Sequence, residues 1–127
     1  MTTDAAFPKL DHAMAAMDSF PIIGELSTTP ETAAVDFDAL VRARTLFPKI
    51  WRDDLAPTEL RPTAQGGIVA VWSCPGWALE LTVDPFSLYD IRLDSPAGMR
   101  DWTRATMDSL VADVTAVLAA MAGSGKA

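Results

Sequence analysis

The side chains that could do chemistry in this chain are one histidine, one cysteine and a set of carboxylates. His12 follows Asp11 in a stretch of helical spacing, with no second histidine or neighbouring cysteine to share a metal. A zinc site draws about four ligands from His, Cys or carboxylate, so His12 reads as a surface or capping residue. Cys74 closes an apolar alternating run just before Pro75. A nucleophilic thiol needs a base beside it, and His12 is the sole histidine; the inward direction expected for Cys74 makes it a core residue. Asp53 and Asp54 are adjacent, so in any regular element they point apart and form no acid–base pair. Glu80, Asp90 and Asp94 differ, because they fall on outward positions of two neighbouring alternating runs with Arg92 interleaved. Such a face suits solvent first, and a cation or basic partner second.

Other catalytic signatures are missing from the sequence. There is no glycine-rich nucleotide loop, no nucleophile elbow and no zinc-protease helix. The tail Gly123-Ser124-Gly125-Lys126 lacks the leading glycine of a phosphate loop and has no helix after it to supply backbone donors. The expectation is a protein that is not an enzyme and takes no metal and no cofactor.

Three alternating stretches between Ile68 and Asp94 must position the carboxylates. Strict alternation buries one face of a strand and wets the other, which is the pattern of an antiparallel sheet with one side on a core. The first strand is expected over Ile68–Cys74 and the second over Trp77–Asp84. Pairing Cys74 with Trp77 sets Trp72 opposite Leu79, Ala70 opposite Leu81 and Ile68 opposite Val83, all on one face. Pro75-Gly76 favours a type II turn, whose twist suits a two-residue hairpin poorly, so a longer or bulged loop is expected. The third strand, Tyr89–Asp94, keeps Tyr89, Ile91 and Leu93 inward if the loop after Val83 has an odd number of residues.

Helical spacing flanks the sheet on both sides. Leu10, Ala13, Met14 and Met17 share a face of a first helix over about Pro8–Ser19. A second helix is expected to start at Thr29 as N-cap with Pro30 and Glu31 in its first turn, and to carry Phe37, Leu40, Val41 and Phe47 on one stripe. Pro48 should stop it at Phe47. Lys49–Gly67, with Pro57 and Pro62, reads as a long strap pinned by Trp51 and Leu55, with a short helical turn between them. A last helix is expected from about Pro96–Gly98 to Ala122, with Gly123 as its stop. The predicted architecture is α+β in two layers, with N-terminal helices, a three-stranded antiparallel meander and a C-terminal helix across the sheet. One domain spanning 1–127 is expected, with 1–6 and 123–127 as flexible tails.

The net charge of −7 and pI near 4.4 disfavour nucleic acid and anionic membranes, which need clustered Lys and Arg. Met1-Thr2-Thr3-Asp4 has no basic n-region, and no run approaches the ~20 apolar residues of a span. A cytoplasmic protein is expected. The single cysteine implies no oxidising compartment.

The anomaly is the first strand. Its outward residues Val69, Val71 and Ser73 are apolar or small, although a simple meander would leave it at an edge, where charges normally block further pairing. Cover by the strap or the N-terminal helices is the preferred explanation, and cover by another chain is the functional one. The stretch Pro62-Thr63-Ala64-Gln65-Gly66-Gly67-Ile68-Val69-Ala70-Val71-Trp72, with Leu79-Glu80-Leu81-Thr82-Val83-Asp84 after it, resembles a set of small uncharacterised bacterial proteins. These share a proline-bearing connection, a Gly-Gly, a strand ending in Trp and a second strand of Leu-Glu-hydrophobic type. The likeness covers about a fifth of the chain, and the second turn lacks the Asp-Gly of that set. It implies an accessory factor of mobile or conflict-related loci and brings no catalytic residues.

The leading expectation is an acidic protein-binding module of the antitoxin, immunity or inhibitor kind. Its partner is another protein, basic in character, held at Val69, Val71, Glu80, Asp90 and Arg92. The alternative is a homodimeric secretion-type or assembly chaperone. A third reading, a small-ligand carrier, would need a pocket under the strap lined by Trp51, Trp72 or Trp77.

Overall fold

A computed structural model describes residues 9–22, 34–86 and 88–124. The order is α1 (Leu10–Asp18), α2 (Phe37–Ile50), β1 (Glu59–Pro62), β2 (Ile68–Cys74), β3 (Trp77–Val83), β4 (Tyr89–Ser95), β5 (Gly98–Arg104) and α3 (Met107–Ser124). The five strands form one antiparallel sheet in sequence order. The class is α+β with a C-terminal helix, as the patterning implies, but the sheet has five strands where three were predicted.

Both extra strands lie in segments whose patterns pointed elsewhere. β1 comes from the strap, pairing Leu60 with Ala70 and Pro62 with Ile68. Glu59 and Arg61 are exposed while Leu60 is buried, so alternation is present but short and closed by a proline. An edge strand tolerates that proline because one side of its backbone needs no partner. β5 occupies residues assigned to the start of the last helix. The tight turn Ser95-Pro96-Ala97-Gly98, with Gly98 at φ 119°, returns the chain along β4 instead. α3 starts only after Thr106, whose Oγ1 accepts from the Ser109 N–H at 3.3 Å as an N-cap.

The hairpins follow the expected inward register. Cys74 pairs with Trp77, Trp72 with Leu79, Ala70 with Leu81 and Ile68 with Val83. The connecting loop is nevertheless two residues long; Gly76 takes φ 84°, which absorbs the conformation that a proline-led turn demands. Val83 pairs with Tyr89 across an odd-numbered loop, and the Asp84 N–H donates to the Leu88 carbonyl at 2.9 Å within it.

α2 departs from expectation at both ends and on its face. Thr29, Pro30 and Glu31 lie outside the described residues. Ala34–Asp36 are not helical; the Asp36 carboxylate caps the helix by accepting from the Asp38 N–H at 3.3 Å. The helix runs through Pro48 to Ile50. An interior proline forfeits one helical bond and costs about 3 kcal/mol, but it sits in the last turn, where carrying on buries Ile50 beside Phe47. The buried stripe is Ala39, Leu40, Ala43, Leu46, Phe47 and Ile50. Phe37 and Val41, predicted to lie on it, are 62% and 44% exposed.

The core lies between the sheet's inner face and the helices. Trp72 meets Phe47 at 6.1 Å between ring centroids. Ala13 and Met17 of α1 are buried, and Arg44 of α2 bonds Asp18 of α1. Arg42 ties α2 to the β3–β4 loop, donating to the Asp84 carbonyl and lying 5.3 Å from the Tyr89 ring centroid. Trp51 and Leu55 pack against the core as expected, although a simple turn at Asp53–Asp54 replaces the short helix. α3 contributes Leu110, Val114, Leu118 and Met121, all fully buried. With a mean hydropathy of 1.3 over 18 residues, α3 is long and apolar enough to cross a membrane by length and composition, although no run approaches ~20 consecutive apolar residues. In this fold the apolar stripe serves the core.

Candidate protein-interaction surface

The outer face of the sheet is built by alternation: each inward residue of β1–β5 leaves its neighbours facing away from the helices. Register then assembles three rows across the strands. The middle row runs Glu59, Val71, Glu80, Arg92, Asp101. One neighbouring row runs Arg61, Val69, Thr82, Asp90, Thr103, and the other Ser73, Ala78, Asp94, Met99. The five residues expected to hold a partner, Val69, Val71, Glu80, Asp90 and Arg92, therefore do share one face.

They are not equally available. Val69 is 2% exposed, hemmed in by its cross-strand neighbours Arg61 and Thr82. Val71 and Glu80 are half-buried, whereas Asp90 and Arg92 are exposed. The unprotected apolar edge is corrected as well. β2 is an interior strand, because the strap supplies β1 as its neighbour. Its apolar back is thus explained within the chain, and the preferred intramolecular cover is the one found.

Charge on this face is unbalanced. Glu59, Glu80, Asp90, Asp94 and Asp101 stand against Arg61 and Arg92. Arg92 Nε lies 3.8 Å from Asp101 and Arg61 Nε 3.4 Å from Glu59, both pairs largely exposed and so worth little to stability. Asp90 accepts from the Thr103 hydroxyl at 2.9 Å. Two adjoining depressions mark the surface. One of about 360 Å³ is bordered by Glu80, Thr82, Asp90, Arg92, Asp101 and Thr103. The other, of about 170 Å³, is bordered by Val71, Ala78, Glu80, Arg92, Asp94 and Met99. Glu80 and Arg92 border both.

The remaining candidates have local structural roles. His12 is exposed on α1. Cys74 is half-buried with its sulfur 3.7 Å from the Met121 carbonyl. Asp53 accepts from the Trp51 indole at 3.1 Å, and Asp54 accepts two bonds from Arg52 at 2.8 and 2.9 Å. Trp72 fills the core. No group of three or more His, Cys, Asp or Glu among the described residues is placed to hold a metal.

Sequence reasoning missed a second constellation where β5 meets α3. The Trp102 indole N–H donates to Asp113 Oδ2 at 2.8 Å, and Arg104 Nε donates to the same oxygen. The Arg100 guanidinium lies 4.8 Å from the Trp102 ring centroid. Arg100, Trp102 and Arg104 alternate, but they fall in the stretch from Pro96–Gly98 onward that the helical spacing assigns to the last helix. The hydrogen bond from Arg104, then that from Trp102, holds the Asp113 carboxyl below the ordinary carboxylate range. A lowered folded value means this bonding contributes fully above the unfolded value, about pH 4, and is lost as pH falls through the folded one. Asp113→Asn should lower the melting midpoint at neutral pH by roughly 3–5 °C and shrink the loss of stability on acidification. An acid limb identical to the wild type would contradict this. Comparison with protein-family models, curated proteins and solved structures finds no match to this chain.

Proposed function

We propose that this chain is a small acidic protein-binding module, of the antitoxin, immunity or inhibitor kind, that holds a basic partner against the outer face of its sheet. The observation that carries this reading is a sheet face, uncovered by any described helix, on which Glu80, Asp90, Asp94 and Asp101 surround two adjoining depressions with Arg92 as the one arginine among them. A concave acidic surface steers a basic partner during encounter and disfavours partners of like charge. Val71, Glu80, Asp90 and Arg92 form its centre; Val69 lies beneath and shapes it without reaching the partner.

The test is affinity capture from the native host, with mass spectrometry of what is retained, using the wild type and a Glu80→Lys/Asp90→Lys variant. Both side chains lie off the core, so the variant should melt close to the wild type. The wild type should retain a basic protein that is released as salt rises, and the variant should retain at least about tenfold less. Equal retention of the same protein by a folded variant would overturn the reading.

A further inference from the structure

We propose a second binding site, adjoining the outer face at β5, in which the open edge of β5 takes an extended acidic peptide segment whose carboxylates engage Arg100 and Arg104 beside Trp102. β5 ends the sheet, and among the described residues no strand pairs with its far side. At seven residues it offers a longer template than the four-residue, proline-closed β1 at the opposite edge. The phase of the ladder decides which groups are free. The bond from the Asp84 N–H to the Leu88 carbonyl makes 84 and 88 a hydrogen-bonded pair, and such pairs alternate along antiparallel strands. Tyr89, Ile91, Leu93 and Ser95 therefore turn their backbone groups toward β5, where Arg104, Trp102, Arg100 and Gly98 meet them. The N–H and C=O groups of Met99, Asp101 and Thr103 are left pointing at the open edge, ready to pair with an added strand.

The side chains on the inner face select what is added. Arg100, Trp102 and Arg104, with Asp113, Ala116 and Val117 of α3, border a cleft of about 260 Å³. Arg104 is engaged by Asp113, whereas Arg100 makes no salt bridge among the described residues. Two guanidinium groups against one carboxylate make this an electropositive spot on a chain of net charge −7. The charged side chains of β5 disfavour a second copy as the occupant in the two central registers. Antiparallel self-pairing centred on Trp102 would set Arg100 opposite Arg104, and centring on Asp101 would oppose two aspartates; like charges directly opposite are destabilising. An acidic segment meets no such repulsion on this face. Its residues opposite Asp101 turn outward, where a third carboxylate would be repelled. The favoured pattern is acidic–neutral–apolar–neutral–acidic, with the apolar residue beside Trp102 and the carboxylates beside Arg100 and Arg104.

The probe is a capped peptide of sequence Thr-Glu-Thr-Val-Thr-Glu-Thr, titrated into isotope-labelled full-length protein and followed by amide shifts and hydrogen exchange. Slowed exchange is expected at the Met99, Asp101 and Thr103 amides, with a shift of the Trp102 indole N–H. Arg100→Glu should weaken binding about tenfold or more, and replacing both peptide glutamates by lysine should abolish it on the wild type. Equal binding of the two peptides, or shifts confined to the Glu80–Arg92 surface, would overturn the proposal. So would a saturating titration that leaves the three edge amides unprotected. Shifts confined to the Glu80–Arg92 surface would count against a basic partner there as well; the other outcomes leave the outer-face reading untouched.

Discussion

Trp72→Ala is expected to lower unfolding stability by about 3–5 kcal/mol, the largest loss from any single truncation considered. Trp72 is 2% exposed, lies on the inner face of an interior strand, and meets Phe47 of α2 at a 37° interplanar angle. Removing it empties the seam between helix layer and sheet, and neighbouring strands cannot close the gap without breaking their ladders. The loss includes the aromatic contact with Phe47, about 0.5–1.5 kcal/mol beyond the area buried. Thermal melting should report a fall of roughly 10–20 °C. Trp51→Ala is the control, since Trp51 is only half-buried at the end of α2; it should cost less than half as much. Equal losses for the two would mean that the strap, rather than the α2–sheet seam, limits stability.

Gly67→Ala comes second, and its mechanism is overpacking. A methyl group at Gly67 would lie 2.5 Å from the Val83 carbonyl oxygen and 3.3 Å from Pro85. The first contact is with backbone, so relief means moving β3 or the β1–β2 turn. That turn is fixed by the Thr63 hydroxyl, which accepts from the Gly67 N–H at 2.9 Å, and by the Thr63 N–H donating to the Gly67 carbonyl at 2.9 Å. A destabilisation of about 1–3 kcal/mol is expected, read as a midpoint lowered by roughly 5–10 °C. Gly66→Ala should act through a different cause: Gly66 has φ 95°, so alanine there strains the backbone, at about 1 kcal/mol. A Gly67→Ala protein that melts with the wild type would show that the two backbones do not approach this closely in solution. The two glycines of the Gly-Gly pair are thus needed for different reasons, conformation at the first and space at the second.

The charge reversal of the outer face and the peptide titration at β5 test function without touching these features. Neither surface contributes a buried residue to the core cluster; Trp102 and Val117 pack against its margin. Binding variants and stability variants can therefore be read separately.

Much of the sheet was legible from local pattern alone. Alternation from Ile68 to Asp94 determined the inward set of β2–β4, and inward direction with turn length determined their register, because a one-residue slip would expose every apolar side chain. The carboxylate face followed from the same rule, since outward positions of paired strands must share a side. Edge strands were decided only in three dimensions. β1 and β5 each need a neighbour on one side alone, so β1 can be short and carry proline, and β5 can turn arginines inward where the helix layer covers it incompletely. The face of α2 was also a tertiary decision, because Phe37 and Val41 satisfy helical spacing as well as Ala39 and Ala43 do. The stripe that is buried combines the small Ala39 and Ala43 with Leu40, Leu46, Phe47 and Ile50, which fill the space against the sheet and leave Phe37 and Val41 on the exposed side. Local sequence thus determined which residues alternate and where the chain turns. Tertiary packing chose which of two apolar stripes to bury, how many strands the sheet would hold, and that Arg100, Trp102 and Arg104 would meet Asp113 across a helix and an edge, since those choices depend on neighbours distant along the chain.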